Sequence, residues 1–129
     1  MGALTNGKHY WLTPPKMLEE LNAEFHFDYD PCPFPKPESF DGLVVPWGES
    51  NYCNPPFGKG MIRWVRKAIS EKGQTVLLIP APMCILELIN AKAQFRSAGR
   101  VRFLATEDQE PHPSPENCIL AILHDKGEK

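Results

Sequence analysis

The sequence lacks the patterns that mark a metal site, a disulfide scaffold or a membrane protein. Its four cysteines are scattered, with no C-x-x-C pair and no close histidine partner, and its four histidines are equally dispersed. This spacing predicts no metal site and four reduced thiols. No apolar run approaches the length of a membrane span, and residues 1–8 lack the apolar core of a signal peptide. We therefore expect no membrane partner and a cytoplasmic location.

Internal repeats and low-complexity tracts are also missing. The 129 residues are 42% hydrophobic and 23% charged, which is the composition of an ordinary globular protein. A chain of this length forms one domain with a real core but has little room for a separate recognition lobe. We expect a single domain at residues 10–124, with flexible segments at residues 1–9 and 125–129.

The net charge of −2 conceals an uneven distribution of charge along the chain. Residues 1–53 carry a net charge of −5 and residues 105–129 carry −4, whereas residues 54–104 carry nine basic and two acidic side chains, or +7. A concentrated basic segment can hold a phosphate backbone even in an acidic protein, because binding responds to the local field. The alternative is that these side chains only solvate two amphipathic helices, and composition leaves both possibilities open.

The most distinctive motif is Asn54-Pro55-Pro56-Phe57, which follows a short β-like run. Consecutive prolines fix φ and remove two backbone donors, so the carbonyls of Asn54 and Pro55 are not committed to a strand ladder. The motif presents an amide oxygen, a carbonyl and the aromatic face of Phe57 at one point. These groups suit a planar ligand that carries an NH2 group. The alternative is a proline-stiffened turn after a strand.

Hydrophobic periodicity predicts an open α/β sheet with helices on its faces. In such sheets ligands bind beyond the carboxyl ends of the strands, so Asp28 and Asp30 could share one cleft with Asn54. Thr13 is placed to cap the first helix. The predicted helices are 14–24, 59–72 and 83–97; the predicted strands are 25–30, 43–45, 75–80, 100–104 and 117–123, with proline-rich loops at 31–41 and 105–116.

The order and spacing of these motifs resemble the phage-type DNA N6-adenine methyltransferases. Members of that family are small S-adenosylmethionine-dependent enzymes with a Rossmann-like fold, a small open and mostly parallel sheet flanked by helices. The resemblance covers nearly the whole chain, from about Trp11 to Leu123. It is carried by Trp11-x-Thr13-Pro14, Phe27-Asp28-Tyr29-Asp30-Pro31-Cys32, Trp47 with Asn51-Tyr52-Cys53-Asn54-Pro55-Pro56-Phe57-Gly58, Trp64-Val65-x-Lys67-Ala68, Leu77-Leu78-Ile79-Pro80-Ala81, Gly99-Arg100-Val101-Arg102-Phe103 and Pro113-Ser114.

The resemblance implies a mechanism centred on the motif at Asn54, Pro55, Pro56 and Phe57. The Asn54 side-chain oxygen and the Pro55 carbonyl would accept hydrogen bonds from the adenine 6-amino group, which would make its nitrogen more nucleophilic towards the methyl donor. Phe57 would stack on the adenine. The DNA would be single-stranded, or a duplex with the adenine flipped out of the stack. Such a direct transfer requires no metal.

The resemblance also implies the binding residues. Asp30 matches an acid close to S-adenosylmethionine, with Asp28, Pro31, Thr13 and Pro14 as further cofactor contacts. The alternatives are solvated charge at a strand end for the two aspartates and a helix cap for Thr13. Basic side chains of the second helix would contact DNA phosphates, unless they only solvate that helix; they are Lys59, Arg63, Arg66 and Lys67.

Two departures from the family leave other functions open. The chain has no G-x-G loop after the first strand and no insert that could serve as a target-recognition domain. Sequence specificity would then be loose, or would be provided by loops, a homodimer or another partner. The alternatives are methylation of another planar amine, such as an RNA base or a protein glutamine amide, and a non-catalytic phage DNA-binding protein. The family reading implies a phage or prophage protein that acts in the bacterial host cell.

Overall fold

The computed structural model describes residues 11–33, 38–56, 58–81, 83–105, 111–113 and 117–125, and within them the fold is mixed α/β. The elements fall into two sheets and three helices over this part of the chain. The helices are α1 (Pro15–Phe25), α2 (Met61–Ser70) and α3 (Ile85–Asn90). The strands are β1 (Trp11–Leu12), β2 (Ser50–Cys53), β3 (Gln74–Pro80), β4 (Gln94–Gly99), β5 (Arg102–Ala105), β6 (Pro111–Pro113) and β7 (Cys118–Leu123).

The larger sheet has the strand order β2-β3-β7-β4. Strands β2 and β3 are parallel and are connected through α2, which makes a βαβ unit. Strand β7 is antiparallel to both of its neighbours, and the smaller sheet, β1-β5-β6, is antiparallel throughout. Strands β2, β3 and β4 thus run in the same direction, and β7 returns between β3 and β4 in the opposite direction. The prediction of a mostly parallel sheet therefore holds in part, because the sheet is mixed and only one of its three strand pairings, β2 with β3, is parallel.

The core lies on both faces of the larger sheet. Strand β3 alternates between the two faces and is buried on each, as its continuous apolar run predicts. On one face Leu77 and Ile79 pack with the buried stripe of α2, which includes Val65. On the other face Val76 and Leu78 pack with Leu21 of α1. Helices α1 and α2 therefore cover opposite faces of the sheet.

The predicted helix at 83–97 is wrong beyond Asn90. Helix α3 ends there, Lys92 takes a left-handed backbone conformation with φ of 63°, and the chain then forms the edge strand β4. Strand β4 pairs with β7 over most of its length, for example Phe95 with Ala121. Pairing with a neighbouring strand has overridden the local helical pattern. The periodicity of a single segment does not reveal such a long-range pairing.

Two predicted strands are also absent from the described structure. At 25–30, α1 ends with His26 in a left-handed conformation, and only Tyr29 makes an isolated parallel bridge, to Asn51. The segment 43–45 is a turn in which Val44 N donates to Asp41 O at 3.1 Å, and Val44 is 73% exposed. Strand β6 falls inside the predicted loop at 105–116. The remaining predicted helices and strands match observed elements to within two residues at each end.

Some predictions fall on residues that lie outside the described part of the chain. They are the flexible segment at 1–9, most of the flexible segment at 125–129, and Phe57 of the proline motif. Among the described helices, none combines the length and the apolar character needed to cross a bilayer.

Candidate functional site

The proline motif lies where β2 leaves the larger sheet. Alongside β2, Tyr29 bridges Asn51 in parallel orientation, and Tyr52 N donates to Tyr29 O at 3.0 Å. Asp30 follows Tyr29 directly, and Asn54 follows the end of β2, so both side chains belong to the carboxyl ends of neighbouring parallel segments. The structure therefore places Asp30 and Asn54 at the same end of the sheet, where these parallel segments terminate.

A buried amide fixes the loop that leads into β2. The Asn51 side chain is fully buried, and its Oδ1 accepts a hydrogen bond from Gly48 N at 2.8 Å. Its Nδ2 donates to Gly48 O at 3.1 Å and to Gln74 O at 3.0 Å, and it lies 3.3 Å from Thr75 Oγ1. Asn51 thus ties β2 to β3 and to the preceding turn, which sets the position of the residues that follow it.

Thr13 connects the start of the chain to the proline motif. Its Oγ1 lies 2.5 Å from the Tyr52 hydroxyl, and Asn54 Nδ2 donates to the same Oγ1 at 3.4 Å. Helix α1 begins after Pro14 without a side-chain cap, so the predicted capping role of Thr13 is wrong. Its hydroxyl belongs instead to a three-residue group with Tyr52 and Asn54.

Tyr52 is the functional candidate that the sequence analysis missed. The residue is 4% exposed, and its ring lies 5.3 Å from the ring of Phe27, centroid to centroid. Burial raises the pKa of Tyr52 far above the ordinary value of a tyrosine, although the hydrogen bond with Thr13 opposes this rise. The phenol therefore stays protonated at neutral pH. The sequence signal for Tyr52 was its place in the short β-like run that leads directly into the proline motif.

The two aspartates are positioned by backbone hydrogen bonds. Asp30 Oδ1 accepts from Cys32 N at 2.8 Å, and Asp28 Oδ1 accepts from Ser50 N at 3.2 Å. Desolvation by the surrounding protein raises the pKa of Asp30, and the Cys32 hydrogen bond works against this rise. The Asp30 residue as a whole remains exposed, so its carboxylate is accessible to a ligand while part of its hydration is lost.

An open pocket of about 700 Å³ lies beside these residues. Its volume is within the range of small-molecule and cofactor sites. One wall is the exposed face of α1, and the other is formed by the segment from Phe27 to Asp30 together with Tyr52. Three carboxylates, those of Glu19, Asp28 and Asp30, line it beside aromatic and aliphatic surface. The pocket is therefore open, of ligand size and partly acidic in its lining.

Prolines of the motif and of the Asp30 loop line a second pocket. Pro31 and Pro56 line one small apolar pocket of about 70 Å³, together with Cys32 and Trp64. Pro55 is buried. The proline motif and the loop after Asp30 thus contribute to one common pocket. Pro14 lines neither this pocket nor the larger one.

Two cysteines also link these segments. The Sγ atoms of Cys32 and Cys53 lie 3.9 Å apart, one two residues after Asp30 and the other directly before Asn54. All four cysteines are free thiols. Burial, followed by the contact with Cys32, raises the pKa of the Cys53 thiol well above its usual value, so Cys53 is a protonated and poorly reactive thiol in this arrangement.

The four predicted phosphate contacts have different surroundings. Lys67 is paired with Glu71 at 2.7 Å, with both side chains less than a fifth exposed, and it lies 6.0 Å from the Trp47 ring centre. Arg66 Nη2 lies 3.4 Å from Glu87 Oε2 on the surface. Lys59 and Arg63 are exposed, and no ion pair within the described residues engages them. Lys59 and Arg63 are therefore the cations best placed for an external anion.

In the part of the chain that the structure describes, no group of three or more His, Cys, Asp or Glu side chains could hold a metal ion. A scan of the sequence against protein-family models gives no match, and a search of curated proteins gives no match either. The function therefore has to be argued from the site itself.

Proposed function

We propose that this chain is an S-adenosylmethionine-dependent methyltransferase that acts on the N6 amino group of adenine in DNA. The observation that carries the proposal is the shared position of Asp30 and Asn54 at the ends of parallel segments joined by the Tyr29–Asn51 bridge. An acid beside a ligand-sized pocket and an amide at the start of a proline motif are the two halves of the site that methyl transfer to an amine requires.

Each half has a defined role in this proposal. Asp30 and Asp28 would bind the hydroxyl groups of the cofactor in the open pocket, against the aromatic surface of Phe27 and Tyr52. The bound cofactor would supply an electrophilic methyl group on a sulfonium. Asn54 Oδ1 and the Pro55 carbonyl would accept hydrogen bonds from the substrate NH2 and keep its lone pair directed at that methyl. Fixing the two reactants at one end of the sheet would provide much of the rate.

The proposal includes a Rossmann-like arrangement of the sheet and a DNA partner. The βαβ unit β2-α2-β3 and the parallel bridge at Tyr29 support the former, since they form a parallel region with the site at its carboxyl end. The exposed Lys59 and Arg63, which follow the proline motif, support the latter. Phe57 as the stacking residue, a possible homodimer and a role in the cytoplasm of a bacterial host of the phage belong to the same proposal.

The test is to incubate the purified full chain with labelled S-adenosylmethionine and single-stranded or duplex DNA, then to digest the DNA and search for N6-methyladenine. RNA and a glutamine-containing protein serve as parallel substrates. Label in N6-methyladenine supports the proposal. Label only in RNA or protein would reassign the substrate to another planar amine, and cofactor binding without any label would refute the catalytic function.

Two variants separate the halves of the site. Asn54→Ala should lower turnover about a hundredfold or more, because a preorganised acceptor at the reacting amine is lost, with nearly unchanged cofactor affinity. Asp30→Ala should first weaken cofactor binding in calorimetry. Asn90→Ala, on the exposed end of α3, is the matched control and should change neither quantity. Equal loss of affinity and turnover in Asn54→Ala would make Asn54 a structural or cofactor-facing residue.

A further inference from the structure

We propose that β4 is the surface through which two copies of this chain form an antiparallel dimer. The outer edge of β4 in one copy would pair with the outer edge of β4 in the other, which would join the two larger sheets into one. A homodimer belongs to the proposed function, but the surface that would form it is argued from β4 and α3 alone. The dimer surface therefore does not depend on methyl transfer.

Strand β4 forms an edge of the larger sheet, on the side away from the candidate site. It pairs with β7, and no second strand of the described residues pairs with it. Its first four residues, 94–97, are all exposed. In an antiparallel pair every second residue of an edge strand directs its N–H and C=O groups outwards, where another strand can bind them. Strands β3 and β7 separate β4 from β2, so pairing at β4 leaves the end of β2 uncovered.

Exposed apolar side chains are concentrated beside this edge. Five large hydrophobic side chains are exposed within the described residues, and three of them lie in α3 and β4: Leu86 at 69%, Ile89 at 53% and Phe95 at 39%. Phe95 pairs with Ala121, which belongs to the core on the α2 face of the sheet. Leu88 of α3 packs in the same core, so α3 and the Phe95 ring lie on one side of the sheet. Clustered apolar surface of this kind favours an interaction site.

The charges around β4 suit contact with an identical surface. A two-fold interface brings side chains close to their own copies, so an unpaired charge near the axis would repel itself. Arg96 is the one charged residue in the sequence of β4, and Glu24 of α1 holds it in a bidentate pair, with Nη1 and Oε1 2.8 Å apart. Glu87 of α3 pairs with Arg66. These neutral pairs favour a second copy as the occupant over a charged segment of another protein.

The alternation of side chains along a strand selects the register of this pairing. Directly opposite residues of an antiparallel pair lie on the same face, so the two-fold axis passes beside one residue that faces its own copy. A centre at Arg96 would place two guanidinium groups opposite each other, and a centre at Ser97 would meet the irregularity between Ser97 and Gly99. A centre at Gln94 shortens the paired length, because β4 begins there. A centre at Phe95 instead makes an aromatic cross-strand pair, which is favourable.

The size of this surface indicates a weak and reversible dimer. A strand of this length extends about 20 Å, and a strand edge with one helix beside it is about 20 Å wide. Such a patch corresponds to roughly 500 Å² per copy, which is less than the roughly 800 Å² per partner of a standard stable interface. We therefore expect a dissociation constant in the micromolar range.

Sedimentation velocity of the full chain, from about 1 to about 300 μM, measures the dimer. Phe95→Lys places two like charges opposite each other and should raise the dissociation constant about tenfold or more, and Phe95→Glu should do the same. An equimolar mixture of these two variants should dimerise more tightly than either alone, because the axis then brings opposite charges together. Val44→Lys is the matched control, since Val44 is also exposed but lies outside α3 and β4, and it should dimerise as the wild type does.

Hydrogen exchange locates the contact without any substitution. The backbone amides of β4 should exchange more slowly when the wild-type chain is concentrated, whereas those of α1 should not change. Leu86→Lys is a second variant that should weaken the dimer even if the Phe95 variants fail to fold, because Leu86 is mostly exposed.

Three results would each overturn the dimer surface. A wild-type chain that stays monomeric at every concentration would leave β4 to another segment of the chain or to a different protein. A dimer without slower exchange in β4 would place the contact elsewhere, and folded Phe95→Lys and Phe95→Glu chains that do not associate when mixed would exclude the proposed axis. A chain that dimerises through β4 but methylates nothing would refute the proposed function alone.

Discussion

Replacement of the buried Asn51 by alanine is the sharpest test of how the fold holds its candidate site. Asn51 makes hydrogen bonds to the turn before β2 and to β3, at Gly48 and Gln74, and its side chain is inaccessible to solvent. The alanine variant removes every one of these hydrogen bonds. The expected result is a large loss of stability with the disturbance centred at the edge of the sheet that carries Asn54.

The magnitude follows from the groups that lose a partner. A buried donor or acceptor without a partner costs roughly 1–3 kcal/mol. Gly48 N and Gln74 O lose their contact with the amide, while the Thr75 hydroxyl can rotate and the half-buried turn at Gly48 admits some water. We expect a loss of about 3 kcal/mol, which is a large part of the roughly 5–15 kcal/mol that stabilises a typical domain.

Urea unfolding of the full chain, followed by tryptophan fluorescence, measures this loss. With a slope of about 2 kcal/mol per molar urea, the midpoint should fall by about 1.5 M. Asn22→Ala is the matched control, because the exposed Asn22 accepts one hydrogen bond, from Phe27 N at 2.9 Å, and alanine is a better helix former. Its midpoint should stay nearly unchanged. Equal shifts in the two variants would refute the anchoring role of Asn51.

Three further predictions concern the loop after Asp30 and its neighbours. The raised pKa of Asp30 means that the folded chain binds this proton more tightly than the unfolded chain does, so stability falls as pH rises through that range. The gain in urea midpoint from Asp30→Asn over wild type should therefore be larger at pH 7 than at pH 4, and equal gains would contradict this. Treatment of the folded chain with glutathione disulfide at neutral pH should leave Cys53 unmodified, because its buried thiol is protonated, and a Cys32–Cys53 linked peptide in the mass spectrum would contradict this. Gly42→Ala should lower the urea midpoint, because its Cβ would lie 2.1 Å from a backbone carbonyl of the loop; Gly60→Ala meets only the end of a flexible arginine and should be tolerated.

The parts of the fold that the sequence predicts well are those with a strong local pattern. The apolar run of β3 and the amphipathic stripe of α2 are examples, and β7 is another. The segment after Asn90 is predicted to continue the helix but forms β4, because it pairs with β7, for example Phe95 with Ala121, far along the chain. The direction of β7, and with it the mixed sheet, depends on the same long-range pairing.

The residues of the candidate site also differ in how well the local sequence identifies them. Asn54 and Asp30 could be selected from the sequence because each stands next to a recognisable motif. The sequence suggests Thr13 as a helix cap and, through the resemblance, as a cofactor contact. It does not suggest the contacts of Thr13 with Tyr52 and Asn54, because these span 39 and 41 residues. A threonine before two prolines has the same local appearance in both roles. Only the distance between its hydroxyl and the strand end distinguishes them.

The basic segment shows why a count of charges predicts a nucleic-acid surface poorly. Arg66 and Lys67 pair with acidic side chains of the same chain, and Arg96 makes a bidentate pair with Glu24. Pairing of this kind reduces the field that a phosphate would meet, and the half-buried Lys67 would have to leave both Glu71 and the Trp47 ring. If the proposed function holds, the contribution of residues 54–104 to DNA affinity should come mainly from the exposed Lys59 and Arg63, which follow the proline motif in the sequence.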